Sequence, residues 1–286
     1  MTSFDVVANL RKITGIKKIG HAGTLDPLAC GVLPICIGKN ATKVLEFMTG
    51  MDKSYRAEMT LGMETDTMDS EGKITALSDK RPEQSEVEKA VRHFSGVIEQ
   101  VPPMYSAVKY KGKKLYELAR SGITVERKPR RAVISRIEIL EITGDKVLFD
   151  VDCSSGTYIR TLCSDIGELL GCGAYMSFLV RTAAGPYKIS SSFTLEEAAE
   201  AFSSGNTEGI LMPPESALTE IRRFTVNDKE EKRFRNGVSI LANEPATAGD
   251  IYRVCNEDGR LVGIGKAVMS YTAESMAIKP EKLFHL

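Results

Sequence analysis

Residues 20–38 read GHAGTLDPLACGVLPICIG, and within these nineteen positions Asp26 is the only carboxylate. It is accompanied by His21, four glycines and two prolines. Glycines reach backbone angles closed to other residues and let a ligand approach the chain closely. Pro27 fixes its own φ and steers Asp26 away from helical geometry. One acid on a stiff loop, just ahead of the apolar run 32–37, suits general acid–base or nucleophilic work. The same Asp-Pro pair also suits a helix start, with Asp as cap and Pro at the first helical position. His21 is equally readable as a buried, satisfied histidine. The stretch alone leaves these alternatives open.

Two further motifs bear on the choice. Lys53-Ser54-Tyr55-Arg56-Ala57 opens a strand, and Cys153-Ser154-Ser155-Gly156-Thr157-Tyr158-Ile159-Arg160-Thr161 turns a strand into a helix. Taken singly, Tyr55 is an ordinary strand aromatic and Arg160 an ordinary helix charge. From 109 to 136 the chain carries ten Lys or Arg against two acids, Glu117 and Glu126, although its overall formal charge is zero. Tyr110 and Tyr116 lie among these cations and Tyr105 just ahead of them. A lysine-rich solvated face is one explanation. The asymmetry favours contact with a nucleic-acid backbone.

The six cysteines form no C-x-x-C pair, and His21, His93 and His285 stand far from any zinc-ligand spacing. Reduced cysteines and no metal are expected. No apolar run is long enough to span a bilayer. Residues 1–14 are amphipathic and charged rather than a signal peptide, which predicts a cytoplasmic protein. An apolar content of 42% over 286 residues allows one large domain or two unequal ones.

The elements that must position these groups follow from periodicity. Helices are expected at 3–14 with Ser3 as cap, at 41–48, 83–94, 115–120, 157–170, 194–202 and 228–235. Strands are expected at 32–37, 54–61, 97–101, 106–110, 132–142, 146–153, 174–182, 251–256, 261–269 and 276–279, with 62–72 a polar loop. Gly144-Asp145 and Glu257-Asp258-Gly259 supply hairpin turns. Strands and helices mix without strict alternation. This predicts an α+β fold: a mixed, mainly antiparallel sheet with flanking helices, followed by a small β-barrel. The domains are read as 1–215 and 216–286.

The three motifs, in this order, resemble the TruB family of bacterial tRNA pseudouridine synthases, which act on uridine 55 of the T-loop. The likeness extends through a K-x-Y strand motif at 53–55 and the L-G-x-x-T-D-T-x-D-x-x-G segment at 61–72. It continues through V-P-P-x-Y-S-A-x-K at 101–109 and covers nearly the whole chain. It implies a pseudouridine synthase fold over 1–215 and a PUA-like RNA-binding barrel over 216–286. Position by position, it implies Asp26 as the catalytic carboxylate, paired with Arg160, and Tyr55 as the aromatic against the uracil, suited to handling the C5 proton. It implies that Tyr158 lines the pocket and that His21 assists entry of flipped nucleotides. Lys43 and Lys53 are read as phosphate or structural contacts. The implied partner is tRNA, bound through its T-loop and T-stem by a monomer with no obligate protein partner; the reaction oxidises nothing and loses no group, so no cofactor or metal is expected.

Two readings from other classes compete. A glycoside or nucleoside hydrolase would draw a second carboxylate from Asp66 or Asp69, but leaves Arg160 without a role. A pure RNA-binding protein would keep the basic stripe without needing Asp26. The family also begins with a strand and a K-P-x-G-x-T-S stretch, of which Met1-Thr2-Ser3 matches only the end. The expectation is that Met1 is an internal methionine and that the natural protein carries one further strand and turn.

Overall fold

The computed structural model describes residues 1–270 and 275–284; His285 lies outside them. Strict alternation builds the main sheet. In the strand Lys146–Cys153, Val147, Phe149, Val151 and Cys153 are buried while their neighbours are not. That period of two turns one face to the core. Lys146–Cys153 lies between Arg130–Thr143 and Lys53–Leu61, antiparallel to both. The described order continues from Lys53–Leu61 to Ala174–Ala184 and Tyr187–Lys188 on one side, and from Arg130–Thr143 to Gly96–Gln100 on the other. The two-residue strand Cys30–Gly31 pairs parallel with Ala174–Ala184, which makes the sheet mixed.

Two helices cover the apolar face. Gln84–His93 contributes Val87, Ala90 and Val91, and Ile159–Leu170 contributes Leu162, Cys163, Ile166 and Leu170, to one core with Met59, Ile134, Phe149 and Met176. A capping box starts the first, where the Glu83 amide donates to Glu86 at 2.8 Å. Gly171, at φ +68°, ends the second in the left-handed conformation, and the Cys172 and Gly173 amides return to the Gly167 carbonyl. Tyr55 faces this same core, since it is in phase with Ala57 and Met59 along its strand.

By contacts the chain divides into two units. One holds Met1–Asp5, Gly23–Pro34 and Thr49–Ser192, around the main sheet; the other holds Val6–Ala22, Ile35–Met48 and Phe193–Leu286. In the second, Val7, Leu10, Ile19 and Ala198 form a small core. Its larger core includes Phe224, Phe234, Tyr252, Val254 and Ile278. This core belongs to a five-stranded curled sheet ordered Arg223–Val226, Ile251–Asn256, Leu261–Met269, Met276–Leu283 and Ile240–Leu241. The helix Asp228–Arg235, capped by Asn227 at the Lys229 and Glu230 amides, seats Phe234 close to Gly263 and Gly265. The architecture is α+β, a main mixed sheet with flanking helices and a C-terminal half-barrel.

Several expected elements differ. The run 32–37 is not one strand. Cys30–Gly31 and Ile35–Ile37 belong to different sheets, separated at Pro34, which has no amide to donate. The segment 62–72 is not all loop, because Met63–Thr65 pairs with Ile74–Leu77. Only Lys109–Tyr110 of 106–110 is strand, joined to Lys113–Lys114. Arg223–Val226 and Ile240–Leu241 are strands outside the expected set, four and two residues long. The first helix is capped by Thr2 rather than Ser3, with the Asp5 amide donating to the Thr2 hydroxyl at 3.2 Å.

Gly167 measures how tightly the Ile159–Leu170 helix packs. A Cβ there would stand 2.2 Å from the Ala174 nitrogen and 2.4 Å from the Gly173 carbonyl carbon, both backbone atoms that cannot swing away. Gly167→Ala is expected to destabilise the fold by about 1–3 kcal/mol through overpacking. A urea midpoint equal to that of the parent protein would show that the helix shifts at no cost.

Candidate active site

Asp26 caps no helix. Pro27 and Leu28 form a turn closed by the Ala29 amide on the Asp26 carbonyl at 2.9 Å, with Pro27 at the position whose φ it presets. The flanks of the loop are held individually. The Leu25 amide donates to the buried Ser3 hydroxyl at 2.9 Å. The Gly23 and Val32 carbonyls accept from Arg181, at 3.0 and 2.6 Å.

The Asp26 side chain, 37% exposed, meets Arg160, whose Nε lies 2.9 Å from Oδ2. Arg160 itself is only 4% exposed. It sits in the first turn of the Ile159–Leu170 helix, where the macrodipole disfavours a cation. Four acceptors answer its charge. Besides Asp26, these are Asp69 Oδ2 at 3.5 Å from Nη1, the Thr67 carbonyl at 3.2 Å and the Tyr105 carbonyl at 2.8 Å. The segments 61–72 and 101–109 therefore converge on one guanidinium.

Asp69 corrects its sequence assignment to a polar loop. It is 5% exposed, and its Oδ1 accepts from the Thr67 hydroxyl and, at 3.1 Å, from the Glu71 amide. Its outer oxygen is committed to Arg160. It is thus sealed and hydrogen-bonded, unlike the second carboxylate of a glycosidase, which must reach substrate or water.

Burial raises the Asp26 carboxyl above the usual aspartate range; the Arg160 charge opposes that shift, and the Asp69 charge adds to it. Tyr55 stands on the Lys53–Leu61 strand directly opposite Arg181. Burial pushes its phenol up, while the Arg181 charge and a hydrogen bond from Arg181 hold it back; the Asp26 charge pushes it up slightly. Tyr158 precedes the Arg160 helix with extended backbone. Buried Gln100 fixes it there, accepting the Tyr158 amide at 3.0 Å and donating to the Tyr158 carbonyl at 3.2 Å.

Of the remaining sequence candidates, Lys53 is buried and its ammonium donates to the Thr49 and Met51 carbonyls, so the structural contact is the one it makes. Its pKa is lowered by burial and then by the Arg181 charge. His21 and Lys43 belong to the second unit, not to the unit that holds Asp26, Lys53, Tyr55, Tyr158 and Arg160. His21 ends the strand Ile19–His21 opposite Ile35. The Lys43 ammonium donates to the Leu283 carbonyl and stands over the Phe284 ring, 5.5 Å from its centroid. In the basic segment, Lys109, Lys111, Lys113, Arg130 and Arg131 are exposed, and Lys114 and Arg120 stack over Tyr116. Arg181 and Gln100 escaped sequence reading. Neither lies in a motif, and the one available signal was a charge inside the otherwise apolar strand 174–182.

The electrostatics predict opposite stabilities for two substitutions. A carboxyl with a raised folded-state pKa favours the fold below its unfolded pKa, and that contribution is lost as pH rises through the folded pKa. Asp26→Asn removes the penalty while Arg160 keeps Asp69, so its urea midpoint at pH 7 should equal or exceed the parent value. Arg160→Met leaves Asp69 buried without a cation and should cost about 3–5 kcal/mol. A midpoint lowered by Asp26→Asn as much as by Arg160→Met would reverse this account of the site.

Comparison with known proteins gives the family. The family described as "TruB family pseudouridylate synthase (N terminal domain)" matches residues 11–159, and "tRNA pseudouridylate synthase B C-terminal domain" matches 160–219. The tRNA pseudouridine synthase B of Alkaliphilus oremlandii is 51% identical over 243 residues, covering 85% of this chain and 80% of that protein. That of Moorella thermoacetica is 42% identical over 293 aligned residues, covering 99% and 95%. Among solved structures, a Cbf5-Nop10-Gar1 complex contains a chain that superposes with a TM-score of 0.77 at 30% identity, covering all of this chain and 82% of that one. By family match and by close relatives along nearly its whole length, the chain belongs to the TruB family of pseudouridylate synthases and is an isomerase.

Proposed function

We propose that the protein converts uridine 55 in the T-loop of tRNA to pseudouridine, with Asp26 as the catalytic carboxylate. The observation that carries this reading is the Asp26–Arg160 contact at 2.9 Å: a carboxylate on a pinned loop, held by a buried guanidinium in the unit that also contains Tyr55. The relatives' names, tRNA pseudouridine synthase B, supply the substrate class.

The chemistry suits these groups. The N1–C1′ bond of uridine breaks, the ring turns, and a C5–C1′ bond forms. The proton on C5 leaves and N1 gains one, so the reaction is redox-neutral and loses no group. Asp26 acts as the carboxylate, by addition to the ring or sugar or by removal of a sugar proton. Arg160 keeps it ionised against the desolvation of the site. Tyr55, its phenol raised by burial, remains protonated at neutral pH and serves as a hydrogen-bonding group beside the uracil. Tyr158 lines the pocket, and His21 assists entry of the extruded nucleotide. A base in a folded loop must leave its stack to be reached, and aromatic and basic contacts offset that cost. The substrate's T-loop and T-stem are recognised by shape and phosphate contact in the cytoplasm, by a monomer. Residues 1–215 form the catalytic domain and 216–286 the RNA-binding tail.

Asp26→Asn and Asp26→Ala should lose pseudouridine formation on T-arm RNA, mapped by base modification, while still binding the RNA. Substantial turnover by Asp26→Ala defeats the assignment. The acid limb of the single-turnover rate should lie above the ordinary aspartate pKa, because only ionised Asp26 is active and burial raises its pKa.

RNA affinity should fall steeply with salt, log K decreasing linearly with log salt by roughly 0.7–0.9 per phosphate contact. Reversing Lys113, Lys114, Arg130 and Arg131 should weaken binding and flatten that slope. A slope unchanged by the four reversals would move the RNA face away from the basic segment.

A further inference from the structure

We infer that Arg181 is a positioning residue for the isomerisation, holding the Asp26 loop and the Tyr55 ring in one fixed relation. The inference rests on the roles proposed above for Asp26 and Tyr55.

Arg181 is among the largest fully buried side chains described, at 1% exposure. Burying a guanidinium is costly unless its charge is answered. Arg160 is answered by two carboxylates, but among the described residues no carboxylate forms an ion pair with Arg181. Its partners are instead the two ends of one loop and one aromatic. Nε donates to the Val32 carbonyl at 2.6 Å and Nη2 to the Gly23 carbonyl at 3.0 Å, eight residues upstream of Gly31 and three upstream of Asp26. The aromatic is Tyr55, directly opposite Arg181 in the strand register.

The backbone repeats the same connection. Arg181 pairs with Tyr55 on one side and Gly31 on the other. The Val32 amide donates to the Arg181 carbonyl at 2.8 Å. Gly31, at φ +101°, admits this approach, since a Cβ there would stand 2.3 Å from the Arg181 carbonyl oxygen. Residues directly opposite in an antiparallel pair project to the same face, which puts the guanidinium beside the phenol. A planar fork reaches both carbonyls while lying beside the Tyr55 ring; a lysine ammonium on a flexible stem does not reproduce that.

Two carbonyls alone could be held by a neutral amide. The cation has an added consequence at the phenol, where its charge and hydrogen bond oppose the effect of burial. Lys53, also buried, is kept away from the phenol's role by its own two carbonyl contacts. Arg181 thus couples the position of Asp26 to that of Tyr55 without meeting the reacting atoms.

The test is single-turnover pseudouridylation of T-arm RNA by the full chain carrying Arg181→Lys, with RNA affinity and the folded fraction measured alongside. The rate constant at saturating RNA should fall about 10–100-fold, as expected for displaced reactive groups. RNA affinity should be unchanged. A merely structural pin would lower the melting temperature and the active fraction without changing the rate constant of the folded enzyme. Should Arg181→Lys fail to fold, Arg181→Gln, smaller and neutral, takes its place in the same assay with the same expectation. A rate constant equal to the parent's, or a defect confined to affinity or folded fraction, overturns the inference. Asp26→Asn is run in parallel to separate the two claims. Full turnover by Asp26→Asn removes the catalytic reading and this inference with it. An inactive Asp26→Asn beside an unimpaired Arg181→Lys removes this inference alone.

Discussion

A guanidinium withdrawn from water must have its charge answered, and at Arg160 that requirement organises the unit built on the main sheet. The helix that carries it begins at Ile159, where the dipole would repel a cation. Carboxylates from two separate loops and carbonyls from Thr67 and Tyr105 reverse the balance. Each brings its own segment of chain to the helix start. The guanidinium that holds Asp26 therefore also ties the segments 61–72 and 101–109 to the helix start, and removing it would release more than a single side chain.

The sheet makes this convergence possible. Lys53–Leu61 is flanked by Lys146–Cys153 and Ala174–Ala184, and its register sets Tyr55 against Val151 on one side and Arg181 on the other. Register errors of one residue would turn Tyr55 to the opposite face. The apolar alternation of Val147, Phe149 and Val151 forbids that slip, because it would expose all three. Core packing and site geometry are thus set by one pattern. The outer face shows what the same strands do where no core constrains them: Arg56 pairs with Asp150 and Lys146 with Glu58, exposed bridges that contribute little to stability.

The two buried arginines solve the same problem differently. Arg160 takes acids as partners and so influences how Asp26 titrates. Arg181 takes the Val32 and Gly23 carbonyls, and among the described residues no carboxylate forms an ion pair with it, so its positive charge stays uncancelled opposite Tyr55. The sealed state of Asp69 follows from the first arrangement. With one oxygen on Arg160 and the other on Thr67 and Glu71, it remains an electrostatic neighbour of the site rather than a second reactive acid.

The amino-acid sequence by itself determined the long periodic elements, among them the strand Lys146–Cys153 and the helices Gln84–His93 and Ile159–Leu170, because burial of one face imposes a period that can be read directly. It also carried the family, through motifs whose order and spacing are specific. It could not say whether Asp26 caps a helix or sits in a turn, since Asp-Pro suits both; the Ala29 amide and the neighbouring strands decided that. It misplaced Asp69, because a polar segment such as 61–72 looks solvated until Arg160 and Met176 are found beside it. Gln100 and Arg181 were invisible for the same reason. A polar residue is legible as a site group only through its partners, and theirs lie 58 and 149 or more positions away, for Tyr158 and Val32. Contacts across such separations belong to the tertiary fold, where sheet register and loop docking choose which polar groups leave water together.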